Sequence, residues 1–261
     1  MKDQVIVITG ASAGIGAALA EEVARRGARV VLVARRRDAL EAVAARCGAE
    51  RAAIVVADVT RRAEVERALA EALAAFGRVD VWVNNAGRGI SRLVSELTDD
   101  DLDEMIAVNV KSALYGMQAV LPHLRARGTG QIVNVSSMLG KVPFALVRSA
   151  YSAAKHALNA LTANLRMELR DAAPGIHVTL VLPGVVATDF GRNARHGGVD
   201  SRALPGAQAV DEVARVIADA IATPRAEVYT RPEYHQLVAG YHGADDVADV
   251  EGRPPFRMPP R

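Results

Sequence analysis

Tyr151 and Lys155 stand four residues apart in a stretch that reads as helix from about Ala150, so their side chains share one face. A lysine cation beside a phenol favours the phenolate and lowers a pKa that is normally about 10. Such a phenol gives or takes a proton near neutral pH, which general acid–base catalysis needs. Ser137 follows the apolar run of Ile132, Val133 and Val135, where its hydroxyl can hydrogen-bond the same reacting oxygen. The competing reading is an accidental pair on a solvated helix face. Random placement of the five Tyr and four Lys of this chain gives roughly 0.08 such pairs. The surrounding elements decide between the two.

Val5–Ile8 is a short, wholly apolar run of the kind a buried parallel strand shows. It enters Thr9-Gly-Ala-Ser-Ala-Gly-Ile-Gly16, then an amphipathic helix to about Arg26 with Gly27 as its stop. Gly10, Gly14 and Gly16 follow a G-x-x-x-G-x-G spacing. Glycines between a strand and a helix let the backbone turn tightly and let a pyrophosphate reach the helix N-terminus, whose amides and dipole favour anions. An ordinary glycine-rich turn is the alternative. Val30–Val33 is the second strand. A dinucleotide site for an unphosphorylated ribose carries an acidic residue near its end, but here the chain reads Ala34-Arg-Arg-Arg37. A guanidinium pairs bidentately with a phosphate, so Arg35 and Arg36 suit the 2′-phosphate of NADP(H), with NAD(H) the second choice. Against this, the arginines simply begin a solvated helix.

The remaining strands, Ile54–Ala57, Val79–Val83, the run before Ser136 and His177–Leu182, alternate with helical stretches near 38–47, 61–76, 98–127 and 150–171. This alternation over residues 5–230 predicts an α/β fold: a doubly wound, Rossmann-like parallel sheet with right-handed crossovers in a single domain. Asp58-Val59 follows the third strand, Asn84-Asn85-Ala86-Gly87 the fourth, and Pro183-Gly184 with Thr188 the sixth. All fall at strand C-terminal ends, so they converge on one crevice with the Tyr–Lys pair. Asp58 is alternatively a helix cap, and Asn84–Gly87 a plain turn. Asn109 interrupts a helical pattern, either as a local break with a polar role or as a solvated position.

The expected organisation is a dinucleotide-binding catalytic domain over residues 1–235, with a mobile substrate lid near 187–207, and an extended C-terminal tail over 236–261. Met138, Leu139, Phe144, Leu146 and Phe190 are expected to line an apolar pocket, while Arg192, Arg195 and His196 read first as solvated charges, with an anionic group there the alternative. A formal net charge of +2 gives no case for a nucleic-acid partner. Cys47 is alone, so no intramolecular disulfide forms, as in a reducing compartment. Met1 is followed almost at once by a strand, leaving no room for a signal peptide, and no apolar run reaches membrane-spanning length. The expected location is cytoplasmic, with no membrane partner.

These motifs closely resemble those of the short-chain dehydrogenase/reductase family over roughly residues 4–230. They are Thr9–Gly16, Asp58-Val59, Asn84–Gly87, Asn109, and Ser137 with Tyr151-x-x-x-Lys155, in the family's order, joined by Pro183-Gly184 and Thr188. The resemblance implies that Tyr151 is the acid–base residue and that Lys155 lowers its pKa while binding the nicotinamide ribose. It implies that Ser137 positions the substrate oxygen and that Asn109 supports a water-linked proton path to Lys155. Gly10, Ser12, Gly14, Ile15, Gly16, Arg35, Arg36, Asp58, Val59, Asn85, Ala86, Gly87, Pro183, Gly184 and Thr188 would contact the cofactor. Asp58 would meet the adenine, Thr188 the nicotinamide amide, and Ser12 with Arg35 the 2′-phosphate. One departure is Ala13, where many NADP-using relatives carry a basic residue. Ser136 competes with Ser137, and the spacing to Tyr151 favours Ser137. The implied function is an NADP(H)-dependent oxidoreductase transferring a hydride between nicotinamide and a small-molecule carbonyl or secondary alcohol, assembled as a homodimer or homotetramer. The alternative is a non-catalytic nucleotide-sensing or scaffold protein on the same fold.

Overall fold

The computed structural model describes residues 1–256. Seven strands form one parallel sheet: β1 (Val5–Thr9), β2 (Arg29–Ala34), β3 (Ala52–Val56), β4 (Val81–Asn84), β5 (Gly130–Val135), β6 (Ile176–Leu182) and β7 (Glu227–Tyr229), in the order β3-β2-β1-β4-β5-β6-β7. Helices α1 (Gly14–Arg25), α2 (Arg37–Cys47) and α7 (Val210–Ala222) cover one face. Helices α3 (Arg62–Phe76), α5 (Ser112–Arg127) and α6 (Ser149–Ala172) cover the other. With both faces covered, the strands carry the near-continuous β-branched runs that such burial requires. Val5, Ile6, Val7 and Ile8 are all fully buried, alternate residues facing the two helical layers. Each such side chain contributes about 1.5–3 kcal/mol by leaving water.

A buried polar chain fixes α6 against the sheet. Trp82 Nε1 donates to Asn84 Oδ1 at 2.8 Å, Asn84 Nδ2 to Asn134 Oδ1 at 2.8 Å, and Asn134 Nδ2 to Thr162 Oγ1 at 2.8 Å. Each group is satisfied, so the chain sets register as well as adhesion. The stripe along α6 follows the same logic: Ala154, Leu158 and Leu169 are buried, and Leu161 and Leu165 pack against the α3/α5 side of the core.

The stretch expected as one helix over 98–127 divides in three. α4 (Asp99–Ile106) starts at a capping box, in which Thr98 Oγ1 accepts from the Asp101 amide and Asp101 accepts in return from the Thr98 amide. A π turn follows over Ala107–Lys111, and then α5.

The tail is a correction. Over 236–256 the chain forms α8 (Pro232–His242) and α9 (Val247–Glu251) in place of an extended segment, and 257–261 of the expected tail lie outside the described residues. Tyr234, Leu237 and Val238 of α8 pack with Met138, Leu180 and Leu182, and Tyr241 stacks on Phe256 at 5.3 Å between ring centroids. Burial of these apolar side chains offsets the ordering entropy that an extended tail would have kept. Pro at the first helical position, Glu233 in the first turn and Gly243 at the end were the sequence signals for α8. Among the described residues no helix is long and apolar enough to cross a membrane.

Candidate active site

β1 and β4 are neighbours in the sheet but lead the chain toward opposite edges, and the switch opens a crevice at the strands' C-terminal ends. Gly10 and Gly14 hold φ values of +68° and +55°, the left-handed region where a side chain is strained. The loop presses on the segment after β4: a Cβ at Gly10 would lie 2.9 Å from Ala86 Cα, and one at Gly16 2.5 Å from Asn85 Nδ2. Asn85 Nδ2 donates to the Thr9 carbonyl at 2.9 Å, and Thr9 Oγ1 accepts from the Asn85 and Ala86 amides. Ile15 packs on the core and Val59 is buried beneath the rim. The residue before α1, Ala13, makes no side-chain cap, and the first turn of α1 holds no acid. Its leading amides and the helix dipole therefore face the crevice uncompensated, which suits an anion.

At the β2 end, Arg36 Nη2 donates to Ser12 Oγ at 3.3 Å. Burial opposes ionisation of Asp58. The Thr60 hydroxyl and amide, at 2.7 and 3.0 Å, outweigh it with help from the charges of Arg35 and Arg61, holding the carboxyl below its usual range. Arg61, rather than Asp58, precedes α3, so Asp58 closes a turn with Thr60 instead of capping the helix.

Gly87 sits where the crevice meets the reacting residues. A Cβ there would lie 2.9 Å from Asn109 Oδ1 and 3.7 Å from Lys155 Nζ. Asn109 is buried within the π turn, which resolves its two readings in favour of the local break. Its Nδ2 donates to the Met105 and Arg88 carbonyls at 3.1 and 3.0 Å, and its Oδ1 accepts from the Arg88 amide at 3.2 Å. The extra residue of the π turn lets this side chain leave the helix and hold the segment after Gly87.

Of the two serines after β5, Ser136 Oγ donates to Asn159 Oδ1 at 2.5 Å and is committed to α6. Ser137 accepts from the Leu139 amide at 3.1 Å and lies beside the Tyr151 phenol. Tyr151 and Lys155 share the inward face of α6 and are almost wholly buried, with Lys155 Nζ 5.6 Å from the Tyr151 ring centroid. Lys155 Nζ donates to the Val135 carbonyl at 2.9 Å. Burial pushes the Lys155 pKa down to about 7 and the Tyr151 pKa up to about 12, the latter offset in part by Ser137 and the charge of Arg148. The expected lowering of the phenol by its lysine is therefore not present in the chain alone, because desolvation weakens the cation as well as the phenolate.

The crevice is closed by the chain after β6. Thr188 Cγ2 would meet a Cβ at Gly14 at 3.4 Å, and Met138 donates its amide to the Pro183 carbonyl at 2.8 Å. At Gly184 a Cβ would lie 2.2 Å from the Tyr234 hydroxyl, so α8 seats directly on this turn. Phe190 packs edge-on to Tyr151, 5.5 Å between centroids.

Arg192, Arg195 and His196 neither face an anionic ligand nor stand free in solvent: they pair within the protein. Arg195 pairs with Asp101 and Glu104, His196 Nε2 lies 2.7 Å from Asp101 Oδ1, and Arg192 pairs with Asp200 at 2.6 Å. Burial opposes ionisation of Asp101, but His196, the Thr98 amide and Arg195 together hold its carboxyl well below the usual range. The apolar set also divides. Phe190 and Leu139 flank Tyr151, Met138 and Phe144 pack toward the tail, and Leu146 is 72% exposed. Arg148, one helical turn before Tyr151, was not singled out from sequence, although an i,i+3 spacing from the phenol was its signal.

The glycine loop, the Asn85–Gly87 segment, Ser137, Tyr151, Lys155 and the turn at Pro183-Gly184 all lie at the C-terminal ends of β1, β4, β5 and β6. Uncapped amides of α1, a buried lysine and an Arg36–Ser12 pair at the rim form a donor set that fits an anionic dinucleotide. The short chain dehydrogenase family model matches residues 4–198. The chain is 39% identical over 190 residues to an uncharacterized oxidoreductase of Staphylococcus saprophyticus, covering 73% of this chain and 77% of that one. It is 36% identical over 201 residues to an uncharacterized oxidoreductase of Staphylococcus epidermidis, covering 75% and 86%. Among solved structures it resembles a short chain dehydrogenase/reductase from Burkholderia phymatum in complex with NAD, with a TM-score of 0.85 at 28% identity over 100% of this chain and 98% of that one. An alcohol dehydrogenase from Thermococcus sibiricus complexed with 5-hydroxy-NADP gives 0.78 at 30% identity, covering 89% and 98%.

Proposed function

Because this chain belongs to the short-chain dehydrogenase family, and so is an NAD(P)-dependent oxidoreductase, we propose that it is an NADP(H)-preferring carbonyl reductase or secondary-alcohol dehydrogenase with Tyr151 as its acid–base residue. The observation that carries this reading is the placing of Ser137, Tyr151 and Lys155 together at the end of β5, against Gly87 and Asn109. The glycine loop and the first turn of α1 hold the pyrophosphate, Lys155 the nicotinamide ribose, Asp58 and Val59 the adenine end, and Asn85–Gly87, Pro183, Gly184 and Thr188 the nicotinamide end. Ser12, Arg35 and Arg36 hold the 2′-phosphate. When bound, the nicotinamide supplies or accepts the hydride.

The chain's own residues manage the proton. Lys155 has no carboxylate partner among the described residues, so contact with anionic and hydroxyl groups of a dinucleotide restores its charge. A charged Lys155 draws the Tyr151 pKa down from about 12 toward neutrality. Tyr151 then gives its proton to the substrate oxygen in reduction and takes it back in oxidation, while Ser137 orients that oxygen. Asn109 holds the Gly87–Arg88 segment beside Lys155 and supports the water-linked path by which the proton is replaced.

Tyr151→Phe tests the reading. It keeps the ring's packing on Phe190, so NADPH binding by fluorescence titration persists while kcat falls at least about 10²-fold. Near-wild-type turnover on any substrate the wild type reduces would overturn the assignment.

The apolar and Ala-rich outer surfaces of α5 and α6 support a homodimer or homotetramer, since isologous helix pairing is the common way to cover them. Met167 on α6 is 55% exposed. Sedimentation at micromolar concentration is expected to exceed the 27.6 kDa of one chain, and a monomer would overturn this.

A further inference from the structure

We propose that Arg148 anchors a carboxylate of the substrate, so that the compound reduced is an oxo acid and the alcohol of the reverse reaction a hydroxy acid. This rests on the carbonyl-reductase reading above and adds to it the substrate's charge.

Arg148 stands at the N-terminal end of α6, one turn before Tyr151, so its side chain leaves the helix on the phenol's side. Its guanidinium is half-buried. Nη1 donates to the Ile90 carbonyl at 3.0 Å. A Cβ at Gly89 would lie 2.9 Å from Arg148 Nη1 and 3.0 Å from Phe190, and one at Gly198 3.2 Å from Arg148 Nη2. The guanidinium is therefore held between two glycines, beside the Phe190 ring that packs on Tyr151. Burial lowers its pKa while the Tyr151 group raises it, so the two sense each other across the same space.

What distinguishes Arg148 from its neighbours is its lack of a counter-ion. Arg88 pairs with Glu104, Arg92 and Arg195 with Asp101, and Arg192 and Arg202 with Asp200. Among the described residues no carboxylate lies within 4.0 Å of the Arg148 guanidinium. One carbonyl meets Nη1, and the guanidinium's other N–H groups are not buried without a partner, so they stay open to a ligand. A carboxylate offers the planar acceptor that a guanidinium edge matches bidentately. One guanidinium balances one carboxylate, whereas a phosphate's second charge would find the adjacent arginines already neutralised. The charge of Arg148 acts on the Tyr151 phenol, so an anion held at Arg148 would set the carbonyl of a short oxo acid toward that phenol.

The test compares kcat/KM for straight-chain 2-, 3- and 4-oxocarboxylates with that for their methyl esters, using NADPH and the full-length chain. The wild type is expected to favour at least one acid over its ester by about 10- to 100-fold, the scale of a charge-assisted hydrogen bond. Arg148→Met should abolish that ratio and Arg148→Lys should restore part of it, which a merely structural tie to Ile90 would not do. Gly89→Ala gives a second arm. Its methyl displaces only the end of a flexible side chain and the edge of Phe190, so the fold survives while the acid-to-ester ratio drops. A wild type that reduces the esters as well as the acids, or a ratio untouched by Arg148→Met, overturns the carboxylate assignment and leaves the reductase reading standing. Turnover of neither series, nor of neutral ketones and aldehydes, removes the reductase reading and this proposal with it.

Discussion

The Lys155 ammonium donates to the Val135 carbonyl at 2.9 Å, and this backbone oxygen is its one hydrogen-bond partner among the described residues. A nearly buried cation answered by a single dipole is an unfavourable arrangement for the folded chain. An anionic partner at Nζ would relieve it.

Its cost is measurable through pH. Burial places the Lys155 pKa at about 7, against about 10.4 in an unfolded chain. Between those values the unfolded chain binds more protons, so this group's contribution to stability rises with pH and is least favourable below about 7. Lys155→Met is therefore expected to be more stable than the wild type at neutral pH by about 1–4 kcal/mol, with the gap closing toward pH ~10. Urea unfolding of both cofactor-free chains across this range checks it, and a gap independent of pH refutes it.

Cofactor choice rests on the end of β2. NADPH is expected to bind about 10–100-fold more tightly than NADH, the scale of one or two charge-assisted contacts. Arg36 reaches Ser12, and the charge of Arg35 acts on Asp58, so a 2′-phosphate held at this end would meet both guanidinia. Arg35→Ala and Arg36→Ala should each reduce the preference, and the double variant should remove it. Equal dissociation constants for the two cofactors in the wild type would rule the arrangement out.

Asn109 makes three hydrogen bonds to backbone groups of Met105 and Arg88 from a buried position. Asn109→Leu is close in size but leaves those partners unsatisfied inside the protein. An unfolding free energy lower by about 2–4 kcal/mol is expected from unmade buried hydrogen bonds. Activity should fall as well, since the Gly87–Arg88 segment beside Lys155 loses its anchor. Calorimetry alongside kcat decides, and a variant neutral in both would show that the π turn holds without its amide.

The parts of this molecule that were legible in sequence are those written in local pattern. The apolar runs of β1 to β6 and the glycines after β1 announce themselves within a dozen residues, and the Tyr151–Lys155 spacing needs only a helix to be meaningful. The illegible parts depend on partners distant in the chain. Asp101 closes the capping box of α4 by a local contact, but its pairing with Arg195 and His196 joins segments that only the fold brings together. The lid's cations looked available for a ligand for the same reason. Burial of Lys155 and Tyr151 is likewise a property of what packs above them, and it reverses the pKa direction that their spacing suggested. The tail helix α8 was different: Pro232, Glu233 and Gly243 carried a local signal that the Gly- and Pro-rich composition nearby obscured.

The seat of Tyr234 on Gly184 has a bearing on how the molecule is made. A polypeptide emerges N-terminus first and folds as its parts become available. Every strand of the sheet, and Ser137, Tyr151 and Lys155 with it, is synthesised before Pro232 begins α8. The turn at Pro183-Gly184 is built before the segment that covers it. Translation thus makes the strands of the scaffold before this part of the rim, and a chain ending just after Tyr229 would carry Ser137, Tyr151 and Lys155 with that turn still bare.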